Sequence, residues 1–158
     1  IFEEDSVAAI PKGWELSKHR IRSLSELKDQ PFITYSREVR RKSFEAFNAV
    51  CRLSGFVPNI VQEAESDIAV LGLVASGLGI ALVPDGYRNI FSNAVSYHVL
   101  KKPRVPLKIC LIWKEGNLSE TARSLVETAN NCHFDLLYSK SANGKDNSFE
   151  MPFKKQGL

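Results

Sequence analysis

Residues Ile60 to Asp85 read IVQEAESDIAVLGLVASGLGIALVPD, a strand, a helix, a tight glycine turn and a buried strand in one βαβ unit. Ile60 and Val61 supply a short β-branched strand. Ser66 is placed to cap a helix whose apolar positions Ile68, Val70, Leu71, Leu73, Val74 and Ala75 cover most of its circumference. A helix of that kind is expected to be buried on nearly all sides. Gly72 inside it costs about 1 kcal/mol relative to alanine, which predicts close approach of a neighbouring backbone. Gly77 is expected to end the helix in the left-handed conformation. Gly79 completes the reversal, and Ile80 to Val83 form an unbroken apolar run, as in a parallel strand covered on both faces. Pro84 and Asp85 stop it.

Outward from this unit the same alternation continues. Val7 to Ile10 reads as a strand closed by Pro11 and Gly13. Ser23 and Glu26 form a capping box for a short helix at Leu24 to Lys28, and Phe32 to Tyr35 follow as a strand whose start Pro31 sets. A helix from about Arg41 to Ser54 aligns Phe44, Phe47, Val50 and Cys51, with Gly55 and Pro58 as the stop. Val95 to Leu100 alternates apolar Val95, Tyr97 and Val99 against Ser96 and His98, and Leu107 to Trp113 reads as a further strand after the Pro103/Pro106 break. A last helix near Leu118 to Asn130 has Asn117 and Glu120 as its capping pair and Ala122, Leu125, Val126 and Ala129 on one stripe. From Ser139 the chain is polar and aperiodic, as in a disordered tail. The expected fold is α/β, with Phe32–Tyr35, Asn59–Glu63 and Ile80–Val83 in one sheet and Ile80–Val83 paired with Ile60–Val61.

The segment LVASGLGIALVP, Leu73 to Pro84, resembles the helix-turn-strand signature of effector-binding domains in LysR-type transcriptional regulators. IPKGWELS at Ile10 to Ser17, LSELKDQPFITY at Leu24 to Tyr35 and LSGFVPNIVQEA at Leu53 to Ala64 resemble successive segments of that family in order and spacing. The likeness runs from Val7 to about Asn131, departing at Trp14, where the family often has histidine. It implies a periplasmic-binding-protein-like type 2 fold, represented mainly by the second of two lobes. On that basis residues 1–14 are the end of lobe one and the first crossover, a hinge, and 15–106 are the second lobe. Residues 107–132 are the return crossover with the C-terminal helix, and 133–158 the tail. With Ile1 first and Met151 the only methionine, the chain reads as a piece of a longer protein. By resemblance the missing part holds a winged helix-turn-helix and most of lobe one, so DNA binding is expected only through that missing N-terminal domain, and homo-oligomerisation is expected of the parent.

Bulk properties narrow the alternatives. A chain of 158 residues, 44% hydrophobic and 25% charged, has ordinary globular composition. Its net charge of +3 is too small and too scattered to argue for nucleic-acid binding, although Arg37, Arg40, Arg41 and Lys42 form a local basic cluster. No apolar stretch is long enough to span a membrane. Cys51, Cys110 and Cys132 lack metal-ligand spacing and fit reduced thiols in the cytoplasm, so neither metal nor cofactor is expected. His19, His98 and His133 are isolated, and no catalytic constellation is present. Gly77-Leu78-Gly79 is not a dinucleotide fingerprint, because these glycines follow a helix and precede a strand.

In an open parallel α/β sheet, ligands bind beyond the carboxyl ends of strands, beside helix N-termini that favour anions. Three such places exist: Tyr35 to Arg40, Glu63 to Asp67, and Pro84 to Gly86. The candidate effector contacts are Tyr35, Ser36, Arg40, Ser66, Pro84 and Asp85. Each also has a plain structural role: a helix cap for Ser66, a turn for Pro84 and Asp85, a strand-end aromatic for Tyr35. Arg40, Arg41 and Lys42 at a helix N-terminus oppose its dipole, which a bound anion would relieve. The function expected is sensing of a small, anionic effector. The alternative is a lobe of a periplasmic-type solute-binding protein, which an upstream export signal would favour; an enzyme is disfavoured.

Overall fold

The computed structural model describes residues 2–103, 106–110, 112 and 119–131. The chain divides into two compact units. Glu3–Ile109 holds the sheets and the candidate site, and the second unit carries the last helix. Within the first, β1 (Phe2–Pro11) pairs antiparallel with β4 (Ala81–Pro84) through Val7↔Val83 and with β5 (Val95–Val99) through Ala9↔Tyr97. The short β6 (Pro106–Ile109) also pairs with β1. A separate parallel pair joins β2 (Pro31–Tyr35) to β3 (Asn59–Ala64).

The expected pairing of Ile80–Val83 with Ile60–Val61 is not what forms. The partner of β3 is β2, and β2 lies between β3 and β4. Among the described residues, the bridge Phe32↔Ile80 links the two sheets. There Ile33 N–H donates to the Ile80 carbonyl at 2.8 Å and Ile80 N–H to the Pro31 carbonyl at 2.9 Å. The crossover through the second helix therefore skips one strand, which a hydrophobic run of four residues has no means of announcing.

Alternation along the strands sorts the interior into two layers. Ala8, Ile10, Phe32 and Ile80 face one side, where α1 (Arg41–Leu53) contributes Phe47, Val50 and Cys51, and the 3-10 helix Leu24–Leu27 adds its two leucines. Val7, Ala9, Ile33, Ala81 and Val83 face the other, against Val70, Leu71 and Val74 of α2 (Asp67–Ala75). The sheets are thus covered on both sides. Phe32 anchors the first layer, its ring 5.4 Å from that of Phe47 and 6.0 Å from that of Phe56. Burial also raises the Cys51 thiol pKa to about 12, leaving it protonated and inert.

Several local expectations hold, and others need correction. The Ser23/Glu26 capping box is present, Ser66 Oγ accepts the Ala69 N–H at 3.2 Å, and Gly77 has φ +84. The helix α2, however, buries a single stripe: it lies on one sheet face, and Ile68 is 47% exposed. Gly72 meets nothing, since a β-carbon built there has no neighbour within 4 Å. The close approach is at Gly79, whose β-carbon would lie 2.7 Å from the Pro31 carbonyl oxygen. On β5, Val99 is 53% exposed, because this strand pairs on one side only and its alternation fades at the margin. Of the strand expected over Leu107–Trp113, β6 covers Leu107 to Ile109, and Leu111 and Trp113 lie outside the described residues. In the second unit, α3 (Glu120–Asn131) is capped by Ser119, whose Oγ accepts the Ala122 N–H, while Asn117 lies outside the described residues, as do Cys132, His133 and the tail. Cys110 is exposed.

Three outcomes follow from this packing. Gly79→Ala is expected to destabilise the chain by about 1–3 kcal/mol in chemical denaturation, because the clash is with backbone that cannot move without losing the link between sheets. Gly77→Val should cost more than about 1 kcal/mol, the left-handed conformation being closed to a β-branched residue; an unchanged midpoint would contradict it. His98, partly buried and 3.0 Å from Ser96 Oγ, has its pKa lowered below 6.5 by desolvation. The folded form binds this proton less readily than the unfolded form, so the stabilisation is complete above pH 6.5 and is lost as pH falls through the lower folded value. Denaturation midpoints of His98→Gln should show a shallower acid decline than those of the parent chain.

Candidate functional site

Three strand ends converge on one carboxylate, that of Asp67. Its position follows from local rules, because Ser66 caps α2 and an acidic residue in the first turn complements the helix dipole. Tyr35, the last residue of β2, donates its hydroxyl to Asp67 Oδ1 at 2.6 Å. Arg40, at the N-cap of α1, donates Nη1 to Asp67 Oδ2 at 2.9 Å and lays its guanidinium over the Tyr35 ring, 4.2 Å from the centroid. Tyr87, in the 3-10 turn Asp85–Tyr87 after β4, faces the same carboxylate.

Electrostatics fix the protonation states. Burial, then the hydrogen bond to Asp67 and its charge, push the Tyr35 phenol well above its ordinary value, and burial with the same carboxylate raises Tyr87. Both remain neutral donors. The Asp67 side chain is 14% exposed and that of Arg40 34%, so the pair is partly shielded from water while the guanidinium keeps an open edge.

The remaining candidates lie around this cluster with structural partners of their own. Ser36 donates its N–H to the Ala64 carbonyl at 2.8 Å, and its Oγ accepts from Val39 N–H at 3.4 Å. Ser66 is occupied as the α2 cap. Pro84 pairs with Ser6 across β1, and Asp85 accepts from Arg88 Nε at 2.7 Å. Of the cations at the start of α1, Arg40 is matched by Asp67 and Arg41 by Glu45 at 2.8 Å. No side chain caps the N-terminus of α1. Of the candidate contacts read from the sequence, Tyr35 and Arg40 lie in this cluster, whereas Asp67, Tyr87 and Glu4 were not among them. The last of these, on β1, accepts the Gly86 N–H at 2.8 Å and so ties β1 to the turn after β4. Asp67 had one signal available, an acid directly after a capping serine; the other two depend on contacts between segments distant in the chain, Tyr87 with Asp67 and Glu4 with Gly86.

No catalytic constellation appears among these groups, and among the described residues no cluster of histidine, cysteine and carboxylate could hold a metal ion. No helix of the described residues is long and apolar enough to cross a membrane.

Known proteins share this arrangement of elements. The effector-binding domain of QuiR, solved with shikimate, superposes with a TM-score of 0.62 at 18% identity over 88% of this chain and 63% of that one. The BenM effector-binding domain with its effector benzoate gives 0.66 at 20% identity over 95% of this chain and 66% of that one. At such identities the likeness establishes the fold. Among curated proteins, the HTH-type transcriptional regulator AlsR of Bacillus subtilis is 28% identical over 124 residues, 78% of this chain and 41% of that protein. The chain spans about two fifths of the length of the curated relatives it matches. Residues 1–131 match the family described as the LysR substrate binding domain, and with four fifths of its length inside that match the chain belongs to this family.

Proposed function

We propose that this chain is the effector-sensing part of a LysR-type transcriptional regulator, binding a small anionic metabolite on the surface formed by Tyr35, Ser36, Arg40, Ser66, Pro84 and Asp85. The observation that carries this reading is the convergence of the β2, β3 and β4 ends on the Tyr35–Arg40–Asp67–Tyr87 cluster. Arg40 gives one nitrogen to Asp67, and its open edge, with the uncapped first turn of α1, offers donors to a carboxylate. The relatives being transcriptional regulators favours sensing over solute capture. Benzoate and shikimate, bound by BenM and QuiR, are both carboxylates, which supports the anionic class. In the parent, differential affinity for two arrangements of the lobes would bias its state on DNA. Sensing of this kind needs no catalysis.

The test starts from a thermal-shift screen of small carboxylates against their neutral amides, using the intact parent. A carboxylate hit should stabilise the protein by about 2.7 kcal/mol at one hundred times its dissociation constant. Calorimetric titration of that hit into Ser36→Ala and Arg40→Ala should then show affinity reduced roughly ten- to a hundredfold, the loss of one charge-assisted hydrogen bond worth about 1.5–3 kcal/mol. Unchanged affinities would remove both residues from the site. A screen in which only neutral compounds stabilise would overturn the anionic class and leave the sensing role.

A further inference from the structure

Two cationic segments far apart in sequence are bound side by side on the surface. Lys18 to Arg22 read KHRIR, and Lys101 and Lys102 follow β5. Lys101 N–H donates to the Arg22 carbonyl at 2.7 Å, Leu24 N–H donates to the Lys102 carbonyl at 3.2 Å, and Ser23 forms a parallel bridge with Lys102. Ile21 and Leu100, 4% and 6% exposed, sink into the core layer under α1 and pin one segment each. Their neighbours Lys18, His19, Arg20, Arg22, Lys101 and Lys102 are all exposed. The backbone ladder therefore holds five full cations on a fixed base.

Compensation by the protein is incomplete. Glu15 pairs with Lys18 at 2.5 Å. Glu26 is turned to backbone, accepting the N–H groups of Arg22 at 3.1 Å and Ser23 at 2.8 Å as half of the capping box. Among the described residues, Arg20, Arg22, Lys101 and Lys102 have no carboxylate within ion-pair distance. Like charges within a Debye length, about 10 Å at 0.1 M salt, repel, and a polyanion laid across them removes that repulsion while releasing its own counterions. Ile21 and Leu100 are buried, and Val99 at 53% exposed is the one large apolar side chain exposed beside Lys101 among the described residues, too little apolar surface to seat a protein partner. Neither segment contains Phe, Tyr or Trp for bases to stack on, which suits a duplex backbone and not an unstacked single strand.

We infer that Arg20, Arg22, Lys101 and Lys102 form a phosphate-backbone contact through which the effector domain itself touches duplex DNA, without reading its sequence. This rests on the regulator reading above, and it adds a DNA contact outside the sequence-reading domain. Fluorescence anisotropy of a labelled duplex of arbitrary sequence titrated with the full 158-residue chain tests it. Four phosphate contacts predict a slope of log K against log salt of about −3.6, so that affinity falls roughly fiftyfold between 50 and 150 mM salt. Arg22→Glu with Lys101→Glu should reduce affinity at 50 mM salt at least tenfold and flatten the slope, with thermal denaturation confirming that the variant folds. Arg52→Glu with Arg123→Glu, the same charge change elsewhere, should retain most of the binding. Absence of binding at 50 mM salt, or equal loss in both variants, would overturn the proposal. So would competition by polyglutamate as strong as by unlabelled duplex at equal charge, which would mark an acidic protein as the partner. The carboxylate screen contains no DNA and the anisotropy titration no carboxylate ligand, so a failure of one reading is told apart from a failure of the other.

Discussion

Two hydrogen bonds join everything else in the folded lobe. Ile80 exchanges backbone bonds with Pro31 and Ile33, and through them the parallel pair β2–β3 is attached to the antiparallel strands around β1. The approach is close enough that any side chain on residue 79 would strike the Pro31 carbonyl, so glycine there is a condition of the architecture. Both core layers cross this join. Phe32 and Ile80 meet on the side of α1, and Ile33 and Ala81 on the side of α2. The candidate site inherits its geometry from it as well, because Tyr35 at the end of β2 and Tyr87 after β4 reach one carboxylate only when those strands are held abreast.

Much of this was legible in the sequence. Periodicity and capping chemistry located α1, α2 and the strands, and the left-handed role of Gly77 followed from its place after a helix. What periodicity could not supply was strand order. An apolar tetrapeptide such as Ile80–Val83 is compatible with any buried position in a sheet, and only the three-dimensional pairing reveals that β2 intervenes. The error over Gly72 has a similar origin: a glycine in a helix and a glycine after one look equally significant in sequence, yet a β-carbon at Gly79 would strike the Pro31 backbone while one at Gly72 meets nothing within 4 Å. Burial around α2 was overestimated because apolar composition reports what a helix tolerates, not which stripe its neighbours cover.

At the site, sequence reasoning identified loops and missed the group that organises them. Tyr35 and Arg40 were singled out as potential ligand contacts in their own right, but in the folded lobe both answer first to Asp67. An arginine held between a carboxylate and an aromatic face has lost much of its rotamer freedom, so in the function proposed above an anion would meet a donor already in position and spend less entropy fixing it. Under that proposal the anion would not face a bare positive charge, and its advantage would come from hydrogen-bond geometry as well as from Coulomb attraction.

The first strand of the chain is the centre of its sheet. Val7 is paired with Val83 on one side and Val99 on the other, partners roughly seventy-five to ninety residues downstream, and such non-local closure slows folding. During synthesis β1 emerges before β4 and β5 and must wait, unpaired and apolar along Val7 to Ile10, until both partners have left the ribosome. The segment from Pro31 to Ala64 can meanwhile organise itself through β2, α1 and β3, whose contacts are nearer in sequence. The interval before β1 docks is when an unpaired strand is open to mispairing or to capture by a chaperone.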